Sequence, residues 1–221
     1  LYDALASHGN QITGKGLASS TIRGIHSMLH EALDAAKQAG LIPWNPTEEI
    51  PTPKFACKVK QILTDEQLDI FMAIIQQDDI WHDFFYTELT TGLRRGEICG
   101  LKWTDFDEID GTLKVRRTIH QEKGGKLTAW DTKTAAGART IILPPSTVEL
   151  LRERQKSALT EWIFPDPLRP EQPTRPSAAY NRMKSLLKKA DLPDLRFHDL
   201  RHTFATHALT SGVDVKTLSG I

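Results

Sequence analysis

Pro43, Pro46, Pro51 and Pro53 are the strongest constraint on what this 221-residue chain can fold into. Proline lacks a backbone donor and its ring clashes with the preceding turn, so no helix runs through the segment. Each proline also biases the residue before it towards extended backbone. Upstream, Ile22, Ile25, Leu29, Leu33 and Ala36 recur at three- and four-residue spacing, which predicts an amphipathic helix over 19–40. Ser19 or Ser20 is placed to cap its start and Gly40 to end it. Downstream come Lys54, Lys58 and Lys60, which make a basic, extended connector. The expected division is a helical piece over 1–53, a linker over 54–62 and a second domain over 63–221. The first piece is too short for a full domain, and the chain does not start with Met. A fragment of a longer protein is therefore expected.

The second domain opens on Thr64 to Gln67, a capping box in front of Leu68, Ile70, Phe71, Ile74 and Ile75. A helix over Phe84–Thr91 is predicted to stop at Gly92, and another to run from Arg95 to Leu101. Strands are expected at 112–119, 126–134 and 138–143, with Gly124, Gly125 and Gly137 in the turns. Ser146 and Glu149 form a second capping pattern, for a helix reaching Gln155. Trp162-Ile163-Phe164 leads into a Pro-rich loop. Helices are predicted at 176–190 and 198–211, with Gly212 stopping the latter and Asp214 starting another. The fold class is mainly α with a small antiparallel sheet, an α+β arrangement.

Composition narrows the partners. No run of apolar residues approaches the roughly 20 needed to cross a bilayer, and LYDALASHGN lacks the features of a signal peptide. Two cysteines, Cys57 and Cys99, suit neither a disulfide framework nor a zinc pattern, so a reducing cytoplasm is the default. Lysine and arginine balance aspartate and glutamate at a net charge of zero. Any DNA affinity must come from local clusters: Lys54, Lys58 and Lys60, and Arg182, Lys184, Lys188 and Lys189. The latter group reads equally well as a solvated helix face.

Three segments carry possible chemistry. In TGLRRGE (91–97), Arg94 stands at a helix start with Glu97 on the same face, a pairing that suits an anion such as phosphate. The plainer reading is a surface ion pair. In HDLR (198–201), His198 and Arg201 share a face near a helix N-terminus. His198 and His202 have the spacing of a metal pair, but His207 does not complete the set and Arg201 would repel a cation. Helix packing is the ordinary reading of His202 and His207. In TKTAAGART (132–140), a hairpin tip carries Lys133, either into a cleft or into solvent.

The three segments in this order resemble the tyrosine recombinases of the phage integrase family. TGLRRGEICGLKW resembles their first arginine box, TKTAAGARTI their lysine hairpin, and HDLRHTFATHAL the His-x-x-Arg start of their second box. TIRGIHSMLHEALDAAKQAGLIPWNP resembles the end of their core-binding domain, so the resemblance covers essentially the whole chain. It has the character of a phage or conjugative-transposon integrase. It implies that Arg94 and Arg201 clamp a scissile phosphate, that Lys133 protonates the leaving 5′ oxygen, that His198 assists proton transfer and that Glu97 supports Arg94. It implies double-stranded DNA and other recombinase subunits as partners, a tetramer on two sites through a Holliday junction, no membrane, no metal and no other cofactor. The bacterial cytoplasm or nucleoid is the expected location.

The family's nucleophilic tyrosine lies beyond the His-x-x-Arg helix, where this sequence has none: its tyrosines are Tyr2, Tyr86 and Tyr180. The resemblance therefore implies a C-terminally truncated chain that binds DNA without cleaving it. Two other readings share the residues: a DNA-binding relative without catalysis, and a type IB topoisomerase, against which the core-binding helix argues. A zinc hydrolase is more distant.

Overall fold

The structure, a computed structural model, describes residues 1–51, 61–131 and 138–210. The chain divides into two compact units, Leu1–Val59 and Lys60–Ile221.

The first unit holds α1 (Tyr2–His8), which was not expected, and α2 (Ser19–Gln38). The Tyr2 hydroxyl meets His26 Nδ1 at 2.8 Å and ties the two helices together. The N-cap of α2 is Ala18, not Ser19 or Ser20. Ser19 is already the first helical residue, and no side-chain hydrogen bond caps the helix. The proline segment folds back on α2 through Asn45, which is buried. Its amide donates to Asp34 Oδ1 at 2.8 Å and to the His30 carbonyl at 3.1 Å.

The second unit begins with α3 (Asp65–Ile75), capped as predicted by Thr64, whose hydroxyl accepts the Gln67 N–H while Gln67 accepts the Thr64 N–H. Then come α4 (His82–Thr91), α5 (Arg95–Cys99) and a single 3₁₀ turn at Trp103–Asp105. Five strands follow: β1 (Phe106–Asp107), β2 (Thr112–Val115), β3 (Arg117–Gln121), β4 (Leu127–Asp131) and β5 (Arg139–Ile142). α6 (Pro145–Lys156) leads to the strands β6 (Pro165–Asp166) and β7 (Arg169–Pro173), then to α7 (Pro176–Lys189) and α8 (Phe197–Thr210).

The strand predicted over 112–119 is two strands parted at Arg116. β2 lies between β1 and β5, whereas β3 pairs with β4, and both pairings are antiparallel. Leu113, Val115 and Ile119 all point inward. Alternation therefore continues across the break and conceals the change of partner. With β6 and β7, the described residues form three small antiparallel sheets where one was expected. Ser146 does not cap α6. Pro144 holds the N-cap position and Pro145 the first turn, where proline's fixed φ suits a helix start.

The core joins the helices to β2, β3 and β5 through Phe71, Phe84, Phe85, Ile98, Leu113, Ile119, Ile163 and Met183. Phe197, the first residue of α8, packs edge-on to Phe84 with ring centroids 6.4 Å apart. That contact sets the start of α8 beside α4. Thr203, nearly two turns further on, is buried and accepts the Leu63 N–H at 3.2 Å.

Candidate phosphate-binding site

The site is built where α4 ends and α5 begins, with α8 packed against α4. Gly92 closes α4 with φ +60°, donating its N–H to the Glu88 carbonyl at 2.8 Å. A Cβ on Gly92 would lie 2.4 Å from Phe204 Cδ1 of α8, so glycine is required both for the turn and for the packing. The Gly92 carbonyl, turned towards α8, accepts a hydrogen bond from Arg201 Nη1 at 2.6 Å. Gly96 does the same service for α5: a Cβ there would meet Thr118 Oγ1 of β3 at 2.3 Å.

Arg94 stands just before α5 in extended backbone. Its N–H donates to Glu97 Oε2 and its Nη1 to Glu97 Oε1, both at 2.9 Å. Arg139, at the start of β5, completes the group: Nη1 donates to Glu97 Oε1 at 3.0 Å and Nη2 to Oε2 at 2.8 Å. Burial alone would push the Glu97 carboxyl up. The hydrogen bonds and charge of Arg139, with the backbone and side-chain hydrogen bonds of Arg94, outweigh it and hold the group below the usual carboxylate range. Glu97 is thus a fixed anion that orients two guanidiniums. The Arg94 side chain keeps 58% of its surface exposed, against 12% for Arg139. Arg94 is therefore the one presented to a ligand.

The start of α8 repeats the device. Asp199 Oδ2 accepts the Arg196 N–H at 2.8 Å, and its carboxylate also accepts Arg196 Nε and Nη2 at 3.0 and 2.8 Å. The hydrogen bond from the Arg196 side chain holds Asp199 below its ordinary value, against burial. One turn on, Arg201 is partly buried. Desolvation, then the charges of Arg94 and Arg139, lower its pKa despite Glu97 and Glu88. Three guanidiniums thus share one neighbourhood with a single paired carboxylate, an excess of positive charge that an anion would relieve. His198 lines a cavity of about 280 Å³ with Leu93, Arg95, Tyr180, Arg196 and Phe197. Its ring lies 4.6 Å from that of His202.

Among the predicted residues, Arg94, Glu97 and Arg201 are brought together, with His198 on the same helix as Arg201. Lys133, Lys54, Lys58 and Lys60 lie outside the described residues. On α7, Arg182 Nε is bound to the buried Asp78 at 2.7 Å, and Lys184 is bound to Asp194 and stands over the Tyr180 ring. Lys188 and Lys189 are exposed. Among the described residues, no group of three or more His, Cys, Asp and Glu side chains is arranged to hold a metal ion. No helix of the described residues is long and apolar enough to cross a membrane.

Sequence reasoning missed Arg139 and Glu88. Arg139 shares the inward face of β5 with Ile141, and an arginine at an inward strand position was the available signal. Glu88 falls one turn after Phe84 on the buried face of α4, an acid in an apolar stripe.

Residues 61–221 match the model of the phage integrase family. A tyrosine recombinase XerC-like protein of Caldanaerobacter subterraneus is 28% identical across 95% of this chain. The ICEBs1 integrase of Bacillus subtilis is 26% identical across 92%. The chain spans 60% and 58% of the lengths of these two relatives. Among solved structures, the Tn1549 transposon integrase in complex with transposon right end DNA superposes with a TM-score of 0.80 at 24% identity, over 93% of this chain and 72% of that one. A lambda integrase tetramer bound to a Holliday junction gives 0.65 at 22% identity, over 92% and 58%. Two neighbouring arginines, one before α5 and one in the second turn of α8, in a mainly α-helical unit with small antiparallel sheets, thus coincide with a family match over most of the sequence: the chain belongs to the phage integrase family.

Proposed function

We propose that this chain is the DNA-binding and phosphate-activating part of a site-specific tyrosine recombinase of the integrase type. The observation that carries the reading is the convergence of Arg94 and Arg201 beside the anchored Glu97. In this reading the two guanidiniums bind the non-bridging oxygens of one backbone phosphodiester and neutralise the charge that grows there as phosphorus is attacked. Glu97 and Arg139 hold Arg94 in place. Lys133 delivers a proton to the leaving 5′ oxygen as a tyrosine oxygen bonds to phosphorus, and His198 assists proton movement. The products are a 3′-phosphotyrosyl bond and a free 5′ hydroxyl, and reversal on a second strand yields exchange through a Holliday junction.

None of Tyr2, Tyr86 and Tyr180 takes the nucleophile's place downstream of His198. Tyr86 packs against the core, and Tyr180 lies beneath Arg95 and Lys184. The reading therefore gives this polypeptide DNA binding, and gives cleavage to a polypeptide that also carries the tyrosine-bearing segment. The first unit is proposed as the end of a core-binding domain. Lys54, Lys58, Lys60, Lys188 and Lys189 are proposed as sequence-independent phosphate contacts. Double-stranded DNA and further recombinase subunits, four on two sites, are the proposed partners.

The test is a suicide-substrate assay with a polypeptide that includes the tyrosine segment. A covalent tyrosine–DNA adduct is expected, and Arg94→Ala or Arg201→Ala is expected to slow its formation by roughly 10²–10³-fold, the usual cost of one charge-stabilising group. Adduct formed at full rate in both variants would refute the clamp.

A further inference from the structure

Behind the clamp lies a carboxyl that the reaction does not use. Glu88 sits on the last full turn of α4 with none of its surface exposed, and neither carboxyl oxygen has a hydrogen-bond partner. The titratable groups whose charge bears on it are Arg201 of α8, and Glu97 and Cys99 of α5. Glu97 is engaged with the other two guanidiniums, its two oxygens accepting hydrogen bonds from Arg94 and Arg139. Of the three guanidiniums, those of Arg94 and Arg139 are hydrogen-bonded to a carboxylate, whereas Arg201 Nη1 rests on the Gly92 carbonyl. Glu88 is joined to that support, because its own carbonyl accepts the Gly92 N–H.

We propose that Glu88 is a positioning residue acting through Arg201, and that its protonation state decides whether the Arg201 fork faces phosphate or the interior. A carboxylate in an apolar interior without hydrogen bonds is strongly disfavoured, so the group rests as the neutral acid. Burial first, with Glu97 adding to it, pushes Glu88 well above the usual range against the attraction of Arg201. As the neutral acid, Glu88 makes no claim on Arg201, whose remaining N–H groups stay available to an anion. Once ionised, it is an anion without hydrogen bonds, attracted to Arg201. It then competes with phosphate for the Arg201 guanidinium. The inference rests on the phosphate-clamp reading, and its test separates the two.

The 221-residue chain is titrated with a short duplex of arbitrary sequence, at fixed ionic strength and rising pH, as wild type, Glu88→Gln and Arg201→Ala. Wild type is expected to lose about tenfold in affinity as Glu88 ionises, the worth of one charge-assisted contact. Glu88→Gln, with the same shape and no ionisation, is expected to lack that step, and Arg201→Ala to bind weakly throughout. Carbon-13 NMR of the glutamate carboxyls supplies a reading that needs no DNA and no variant: the Glu88 resonance is expected to titrate well above the surface glutamates. Glu88 titrating with them, or Glu88→Gln following the wild-type curve while Arg201→Ala is weakened, overturns the inference alone. Arg201→Ala binding as tightly as wild type overturns the clamp reading beneath it.

Discussion

Glu88 at the end of α4 and Glu97 in α5 stand nine positions apart, both buried and both interacting with the charge of Arg201, and their pKa values move in opposite directions. Glu97 accepts four hydrogen bonds, from the backbone and side chain of Arg94 and from both terminal nitrogens of Arg139. Glu88 accepts none at its carboxyl. Burial has the same sign at both positions. Partners decide the outcome: with them a buried carboxyl becomes a fixed anion that aims cations, and without them it becomes a neutral acid that leaves a cation unclaimed. The two regions thus give the site one arginine oriented by a carboxylate and another oriented by a carbonyl.

The largest break in this contrast is Glu97→Ala. It strands Arg139, which is 12% exposed, without its anion. A loss of about 3–5 kcal/mol in chemical denaturation is expected, the cost of uncompensating one partner of a buried pair. A loss below ~1 kcal/mol would show that Glu97 is no anchor. Next comes Gly92→Ala. The left-handed φ and the 2.4 Å approach to Phe204 force either α8 or the turn to move. Roughly 2–3 kcal/mol is expected from strain and overpacking together, along with weakened DNA binding as the carbonyl leaves Arg201.

The smallest effect is the sharpest, because its sign reverses between the two acids. Glu97 has a depressed folded-state pKa, so its stabilisation is present above the ordinary carboxylate pKa and is lost as pH falls through the folded value. Glu97→Gln should therefore be less stable than wild type at neutral pH, and the gap should close in acid. Glu88 has a raised folded-state pKa, so the unfolded chain releases its proton first and wild-type stability declines as pH rises above the ordinary range. Glu88→Gln should melt higher than wild type at neutral pH, by about 2–4 °C, and match it below the ordinary carboxylate range. Thermal melts across pH would show two difference curves of opposite sign. Curves of the same sign would mean that the two carboxyls share one state.

How much of this was legible follows sequence distance. The Arg94–Glu97 pair was readable because both lie within one helical turn, and Thr64 declared its cap for the same reason. Arg139 reaches Glu97 from 42 positions away, and no local pattern announces that contact. Arg201 resting on Gly92 spans 109 positions. The interruption at Arg116 was hidden because inward residues alternate through it while the hydrogen-bonding partner changes. Ser146 failed as a cap because Pro145 had already set the helix start. The residues expected to contact phosphate were visible as motifs; the long-range contacts around them, Arg139 on Glu97 and Arg201 on the Gly92 carbonyl, become visible only when the chain is folded.

The most direct measurement is a double-mutant cycle on duplex affinity with Arg94→Ala, Arg201→Ala and the pair. If both guanidiniums grip one phosphate, the two losses are expected to couple by about 1 kcal/mol or more, the second substitution costing less once the first is made. Losses that simply add, or affinity untouched by either change, would place the two arginines on separate ligands and contradict a shared clamp.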